Sequence, residues 1–312
     1  MHPLRYHEGQ RQVQREANSE PAADMLAEWV GPVIRYAGLA DVVVLATGGA
    51  GRTVTFTALS GQPPLVQASS IGGFIRLRFP AAIARHIAPG TLVGGMVLYP
   101  VEARRSRFAG VLTETDGSLV IDCAIAFTNC RKYIAPTRRA GEALIIGPAS
   151  REPLSLNDPR IEPIMAGAIT AFLGTLEPDG VPDASHRGGE PGFLDWSPGT
   201  RRLAWNEYFG DGMFKSIGNL RAAGRFALLV PDLATGDALE IQAAGTYQNL
   251  YASPQRRVHS LVQARERYPV QGHVEAVVES VALLSQFMHP RLMTDGLARL
   301  TCMSPVNEQN PS

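Results

Sequence analysis

Apolar runs of strand length, broken by short clusters of Gly and Pro, occupy most of the chain. Val42 to Ala46 is continuously apolar and stops at Thr47-Gly48-Gly49. Thr53 to Leu59 alternates until Gly61-Gln62-Pro63-Pro64 breaks it. Short strands are predicted from Gly72 to Leu77, Leu92 to Tyr99, Arg104 to Leu112 and Leu119 to Phe127, the last two joined by a turn at Asp116-Gly117. Pro80 to Ile87 reads as a brief helix. Upstream, Met1 to Glu20 is polar and reads as a loose arm. Ser19-Glu20-Pro21 predicts a helix start, with a hydroxyl cap and a proline where no N–H is needed. That helix would present Met25, Trp29, Val33, Ile34 and Ala37 on one face and end near Gly38.

The scheme then repeats. Pro136 to Asn157, rich in Pro, Gly, Ser and Arg, reads as a linker. Its boundary near Ala149 predicts domains of residues 1–148 and 149–312. Beyond it come a short helix over Glu162 to Gly167 and a strand from Ala168 to Leu176. A hairpin of Arg225 to Val230 with Asp237 to Tyr247 turns at Ala234-Thr235-Gly236. A helix is expected over Pro254 to Arg267 and a long strand over His273 to Leu284. Thr91 to Gly110 can be laid over Arg225 to Gly245, each followed by a long final strand, so a duplicated unit is predicted. Many short strands with few helices indicate a mainly β fold, a small closed or partly closed β-barrel in each half, because closure removes exposed strand edges.

Composition narrows the chemistry. Lys plus Arg equals Asp plus Glu at 29 each, so there is no basic footprint for nucleic acid. No apolar run approaches the roughly 18 residues that a membrane helix needs. The polar N-terminus lacks a signal core, which predicts a cytoplasmic protein. Cys123, Cys130 and Cys302 make no disulfide framework, and Cys123 reads as a buried thiol. The seven histidines show no metal-ligand spacing, so no metal site is predicted.

Candidate chemistry gathers between Ala184 and Leu220. Ser185-His186-Arg187-Gly188-Gly189 supplies a hydroxyl, two cationic or titratable groups and backbone that can come close to a ligand. Gly210 to Leu220 adds Lys215, Ser216 and Asn219 at the start of a short helix over Phe214 to Ala222, where free N–H groups favour an anion. The mixture suits a phosphorylated ligand, with Arg187 as the leading phosphate or ribityl ligand. Strand alternation turns His186 away from Ser185 and Arg187, which predicts a structural role for it. Trp196, Trp205 and Tyr208 are candidates to wall a ring system, and Lys132 and Tyr133 to reach across the domain interface.

The stretch Asp183 to Phe193 resembles the D-x-S-H-R-G-G-x-P-G-F of flavin-nucleotide-binding proteins related to pyridoxamine 5′-phosphate oxidase. Gly210 to Leu220 is similar to their G-N-x-x-F-N-T-L-G-N, and Asn129-Cys130-Arg131-Lys132-Tyr133-Ile134 to the N-C-P-K-Y-I that ends their first domain. Asp211 and Lys215 stand where that family usually has Asn. The resemblance implies tandem FMN-binding split β-barrels, with FMN held where two barrels meet, often across a homodimer. The pair could form inside one chain or between two, and a homodimer is the assembly the resemblance implies. The activity implied is an FMN-dependent oxidoreductase moving two electrons between a small organic substrate or a nicotinamide and flavin, with oxygen as an acceptor. The alternatives are a non-catalytic flavin carrier or sensor, a haem-binding split barrel with His186, His259, His273 or His289 as axial ligand, and use of a deazaflavin.

Overall fold

The structure is a computed structural model that describes residues 5–27, 32–71, 74–250 and 268–294. Helices α1 (Glu8–Ala17), α2 (Glu20–Ala27) and α3 (Pro32–Leu39) lead into β1 (Val42–Gly48), β2 (Val54–Ser60), β3 (Gln67–Ile71), β4 (Phe74–Phe79), β5 (Leu92–Tyr99), β6 (Arg104–Thr115) and β7 (Ser118–Thr128). Three short strands follow: β8 (Thr137–Arg139), β9 (Ile145–Gly147) and β10 (Ser150–Leu154). The rest is α4 (Ile161–Gly167), β11 (Thr170–Leu176), β12 (Pro182–Gly188), β13 (Leu194–Ser197), β14 (Arg202–Tyr208), α5 (Lys215–Ala223), β15 (Arg225–Pro231), β16 (Ala238–Asn249), β17 (Val270–Ser285) and β18 (Arg291–Met293).

The duplication is visible in the topology. One sheet runs β3-β4-β7-β6-β5-β1-β2, and the other runs β13-β14-β17-β16-β15-β11-β12. These are the same path, strand for strand. Each sheet is antiparallel, and each carries a register shift in its β6 or β16 strand, at Ala109/Gly110 and at Gln242/Ala243. The molecule is mainly β, as the alternation predicts. Neither sheet closes into a ring among the described residues, so the closed form of the barrel is not the one adopted.

Strand alternation divides the apolar residues among three cores. Val43 and Leu45 of β1 enter the core of the first half, while Val42, Val44 and Ala46 face the seam between the halves. In β15, Phe226, Leu228 and Val230 enter the core of the second half, and Ala227 and Leu229 face the seam. This explains why Val42 to Ala46 is continuously apolar: both faces of the strand are buried. Phe56 and Phe172 join the seam from opposite halves, and burial of each contributes roughly 1.5–3 kcal/mol. The seam has an approximate twofold character. β12 packs against β1, β5 and β6, and β2 packs against their counterparts β11, β15 and β16.

Several expectations are corrected. The N-terminal arm contains α1, which packs on α5. Its buried face is mostly polar: Gln10 and Gln14 are enclosed beside Val13. Gln14 Nε2 donates to the Met213 carbonyl at 2.8 Å, and Gln10 Nε2 donates to Asn219 Oδ1 at 2.8 Å. Hydrogen bonds rather than apolar periodicity fix this helix. Of the helix expected from Ser19 to Gly38, the described parts are helical as α2 and α3, and Trp29 lies outside the described residues. The supposed linker contributes strands to both sheets: β9 pairs with β2, and β10 with β17. The helix expected over Pro254 to Arg267, and His259 with it, lies outside the described residues. Cys123 is fully buried, and its enclosure pushes the thiol up to about 12.

The close approach of the halves constrains Gly94 on β5. A Cβ there would lie 2.1 Å from the Pro182 carbonyl oxygen of β12. Gly94→Ala is therefore expected to lower unfolding stability by about 1–3 kcal/mol, from forced separation of packed strands. Urea unfolding measures it, and an unchanged midpoint would mean that the seam is looser than described.

Candidate functional site

A cleft of about 790 Å³, counting its open mouth, lies at the seam. Both halves build it. Ser185, His186, Arg187 and Gly188 come from β12, Asn206, Glu207 and Tyr208 from β14, and Lys215 to Ile217 from α5. Facing them are Met96, Arg105, Arg107, Asn129, Cys130 and Tyr133 of the first half. The β14–β17 ladder shifts register between Glu207 and Tyr208, beside the cleft, a common place for a bulge.

The polar floor is a chain of hydrogen bonds. Arg187 Nη1 donates to Ser185 Oγ at 2.9 Å. Ser185 and Ser216 hydroxyls lie 2.7 Å apart, and Ser216 Oγ donates to Asp183 Oδ2 at 2.5 Å. Arg107 reaches from β6 to ion-pair with Asp183 and to donate to Ser216 Oγ at 3.0 Å. Lys215, almost wholly buried, pairs with Glu177 and has Asp183 at 3.7 Å. Burial alone would raise the Asp183 pKa. The charges of Arg107 and Lys215 and the Ser216 and Arg107 hydrogen bonds outweigh it and hold the carboxyl at about 2. Arg187 Nε pairs with Glu207 at 2.5 Å, and Glu207 also accepts from Trp205 Nε1 at 2.7 Å.

His186 is enclosed on the other face of β12, as alternation predicts. Arg105 Nη1 lies 2.9 Å from its Nδ1, and Thr170 Oγ1 lies 2.6 Å from its Nε2. Because a guanidinium only donates, Nδ1 must accept, so the ring is neutral with its proton on Nε2. Burial first, then the charges of Arg105 and Arg187, hold its pKa well below the ordinary histidine value. Both ring nitrogens are committed, which leaves His186 without a free position for a haem iron. His289 is also engaged, its Nε2 lying 2.6 Å from the Ala143 carbonyl.

Of the eight predicted site residues, Ser185, His186, Arg187, Gly188, Lys215 and Ser216 line the cleft, and Gly189 and Asn219 do not. Asn219 points to α1: its Oδ1 meets Gln10 Nε2 and His7 Nε2, each at 2.8 Å, and its Nδ2 donates to Thr175. Gly189 packs under Phe193, where a Cβ would lie 2.5 Å from the Phe193 Cβ. Gly188 owes its identity to the seam, since a Cβ would sit 1.9 Å from the Tyr133 carbonyl oxygen. Lys132 and Tyr133 do cross to the second half, both donating to the Phe209 carbonyl, at 3.2 and 2.8 Å. Tyr133, Tyr208 and Tyr268 form an aromatic cluster with centroids 5.1 to 5.8 Å apart. Trp205 is core packing, edge-on to Phe226.

Sequence reasoning anticipated Tyr133 on the wall supplied by the first half but missed its arginines. The signal was present in Arg105 and Arg107, charges at alternate positions of a strand whose neighbours are buried. Asn129, which entered the sequence reading only as part of a motif, also lines the cleft; its Nδ2 donates to Asp211 Oδ2 at 2.9 Å, and its buried Oδ1 has no partner. Asp211 in turn accepts from the Met213 N–H at 3.1 Å, ordering the loop before α5. Glu240 and Gln242 of β16 are the counterparts of Arg105 and Arg107 of β6 in the duplication. Glu240 pairs with Arg151 and accepts from the Phe56 N–H at 2.9 Å, and Gln242 exchanges hydrogen bonds with the Val54 backbone.

No protein-family model matches the chain, and no curated protein matches it. Similar solved structures include a putative pyridoxamine 5′-phosphate oxidase from Lactobacillus delbrueckii (18% identity, 42% of this chain and 98% of that one, TM-score 0.30). Others are an FMN-binding protein from Syntrophomonas wolfei (13% identity, 39% and 81%, TM-score 0.28) and HutZ, the haem storage protein from Vibrio cholerae (13% identity, 39% and 89%, TM-score 0.25). Among the described residues no helix is long and apolar enough to cross a membrane.

Two predictions test these electrostatics. Lys215→Met leaves two buried carboxylates short of a cation and is expected to destabilise the protein by about 3–5 kcal/mol. Adding Glu177→Gln should restore part of that loss; no effect of either change on denaturant unfolding would refute the pairing. For His186, the unfolded chain takes up a proton more readily than the folded one. Stability is therefore full above about pH 6.5 and falls below it by up to about 1.4 kcal/mol per pH unit. Unfolding titrations between pH 7.5 and 5.5 should show this slope in the wild type and a flatter one in His186→Gln.

Proposed function

We propose that the cleft binds FMN and that the chain is an FMN-dependent oxidoreductase, passing two electrons between a small organic substrate or a nicotinamide and the flavin, with dioxygen among the candidate acceptors. The observation that carries this reading is the convergence of two kinds of surface in one cleft. Ser185, Ser216 and the start of α5, which has no side-chain cap, offer donors for a phosphorylated tail. Phe193, Tyr208, Met213 and Met96 offer apolar wall for a ring system. The motif resemblance of Asp183 to Phe193 and Gly210 to Leu220 supports the same assignment.

When bound, flavin supplies the redox chemistry, taking up or giving out an electron pair. The chain's own part is to bind and orient. Arg187 and Lys215, neutralised by Glu207 and by Glu177 with Asp183, fix the wall carrying Ser185 and Ser216. Gly188 lets the two halves meet closely behind the site, and the tyrosine cluster shields one end from water.

Titration of the purified protein with FMN tests the reading. We expect a two-band flavin spectrum, quenched flavin fluorescence and one FMN per chain, with affinity independent of protein concentration because both walls come from one chain. Bleaching by NADH or NADPH without oxygen would mark a reductase. Failure to bind FMN, or a Soret band in the isolated protein, would overturn it.

A further inference from the structure

Four lysine or arginine side chains are buried among the described residues: Arg105, Arg107, Lys215 and Arg291. Three have a carboxylate partner. Arg107 pairs with Asp183, Lys215 with Glu177, and Arg291 with Asp41 at 3.0 Å. Arg105 has none. Its contacts are the neutral His186 ring at 2.9 Å and the Cys130 thiol at 3.5 Å, and its buried Nε has no hydrogen-bond partner. It is 7% exposed and lines the cleft.

An enclosed guanidinium without a counter-ion is expensive. The effective penalty for burying an unpaired ion is several kcal/mol, and native proteins pair such charges or use them. The surroundings do not relieve it. His186 accepts one of its hydrogen bonds as a neutral ring and contributes no negative charge. Of the carboxylates around the cleft, Asp183 is engaged by Arg107 and Lys215 and Glu207 by Arg187, while Asp211 accepts from Asn129 and the Met213 N–H and makes no ion pair with Arg105. The sequence motif points to Arg187 and Lys215 as anion ligands, yet each would have to abandon a buried acid to serve. Arg105 abandons nothing.

We propose that Arg105, contributed by the first half, is the residue that holds the anionic group of the ligand occupying the cleft, and that this group is its missing counter-ion. Assigning the group to a flavin phosphate rests on the FMN reading above; the need for an anion at Arg105 does not. A substrate carboxylate or phosphate would meet the same guanidinium.

Arg105→Gln, Arg105→Lys and the wild type separate these cases. In the ligand-free protein, Arg105→Gln should melt at or above the wild type, because it removes an uncompensated buried charge. A marked drop in melting temperature, with Arg105→Lys restoring it, would show a purely structural cation and overturn the proposal. Sodium phosphate, compared with sodium chloride at equal ionic strength, should raise the melting temperature of the wild type and Arg105→Lys but not of Arg105→Gln. Equal stabilisation of all three would also overturn it. FMN and riboflavin titrations then locate the anion. If it is the cofactor phosphate, Arg105→Gln weakens FMN about tenfold or more and leaves riboflavin unchanged, in keeping with loss of a charge-assisted hydrogen bond. If FMN binds both proteins equally while the phosphate effect persists, the anion belongs to the substrate. If no flavin binds the wild type but the phosphate effect depends on Arg105, the FMN reading fails and the anion site stands.

Discussion

Asp183 is buried at the seam, and the positions of three elements depend on keeping it ionised there. Arg107 comes to it from β6, Ser216 and Lys215 from α5, and the carboxylate itself sits on β12. Removing any one cation would leave a negative charge in a poorly polarisable interior, so the halves are held in register by electrostatic necessity as well as by apolar packing. The same contacts bring Ser185 and Ser216 together and set the start of α5 facing the first half. The cleft is thus a by-product of how the seam satisfies its charges.

Duplication explains why the seam exists at all. Two sheets with one strand order pack through equivalent strands, and each presents a second apolar face that must be covered by the other copy. Equivalence ends in the polar layer. One side carries Arg107, Asp183 and an open cleft. The other carries Glu240 with Arg151, delivered by β10. The cleft lies on one side of the seam, and an ion pair occupies the related strand positions on the other.

Much of the fold is legible in the sequence because burial on a sheet imposes a period of two. Leu92 to Tyr99 is read at its observed bounds, and the repeat of Thr91 to Gly110 in Arg225 to Gly245 anticipates the shared topology. What escaped reading has a physical pattern. α1 is held by buried glutamines, which look like solvent-facing residues until their partners on α5 are known. The strands β8, β9 and β10 are each five residues or shorter and lie among Pro, Gly and Arg, so they resemble a linker. On the site, motif and alternation locate the wall of the second half, including the turn of His186 to the strand face opposite Ser185 and Arg187. Asn219 faces α1 instead of the cleft, because a helix residue beside the motif can face either a cleft or a neighbouring helix. Arg105 and Arg107 meet His186 and Asp183 across 81 and 76 residues, a pairing that only the folded seam creates.

The most direct test is a crystal structure of the protein with FMN bound. The predicted result is one flavin per chain in the seam cleft, its phosphate within hydrogen-bonding distance of Arg105, and Lys215 still paired with Glu177. A flavin elsewhere, or a phosphate held by Arg187 and Lys215 with Glu207 and Glu177 displaced and Arg105 untouched, would contradict it.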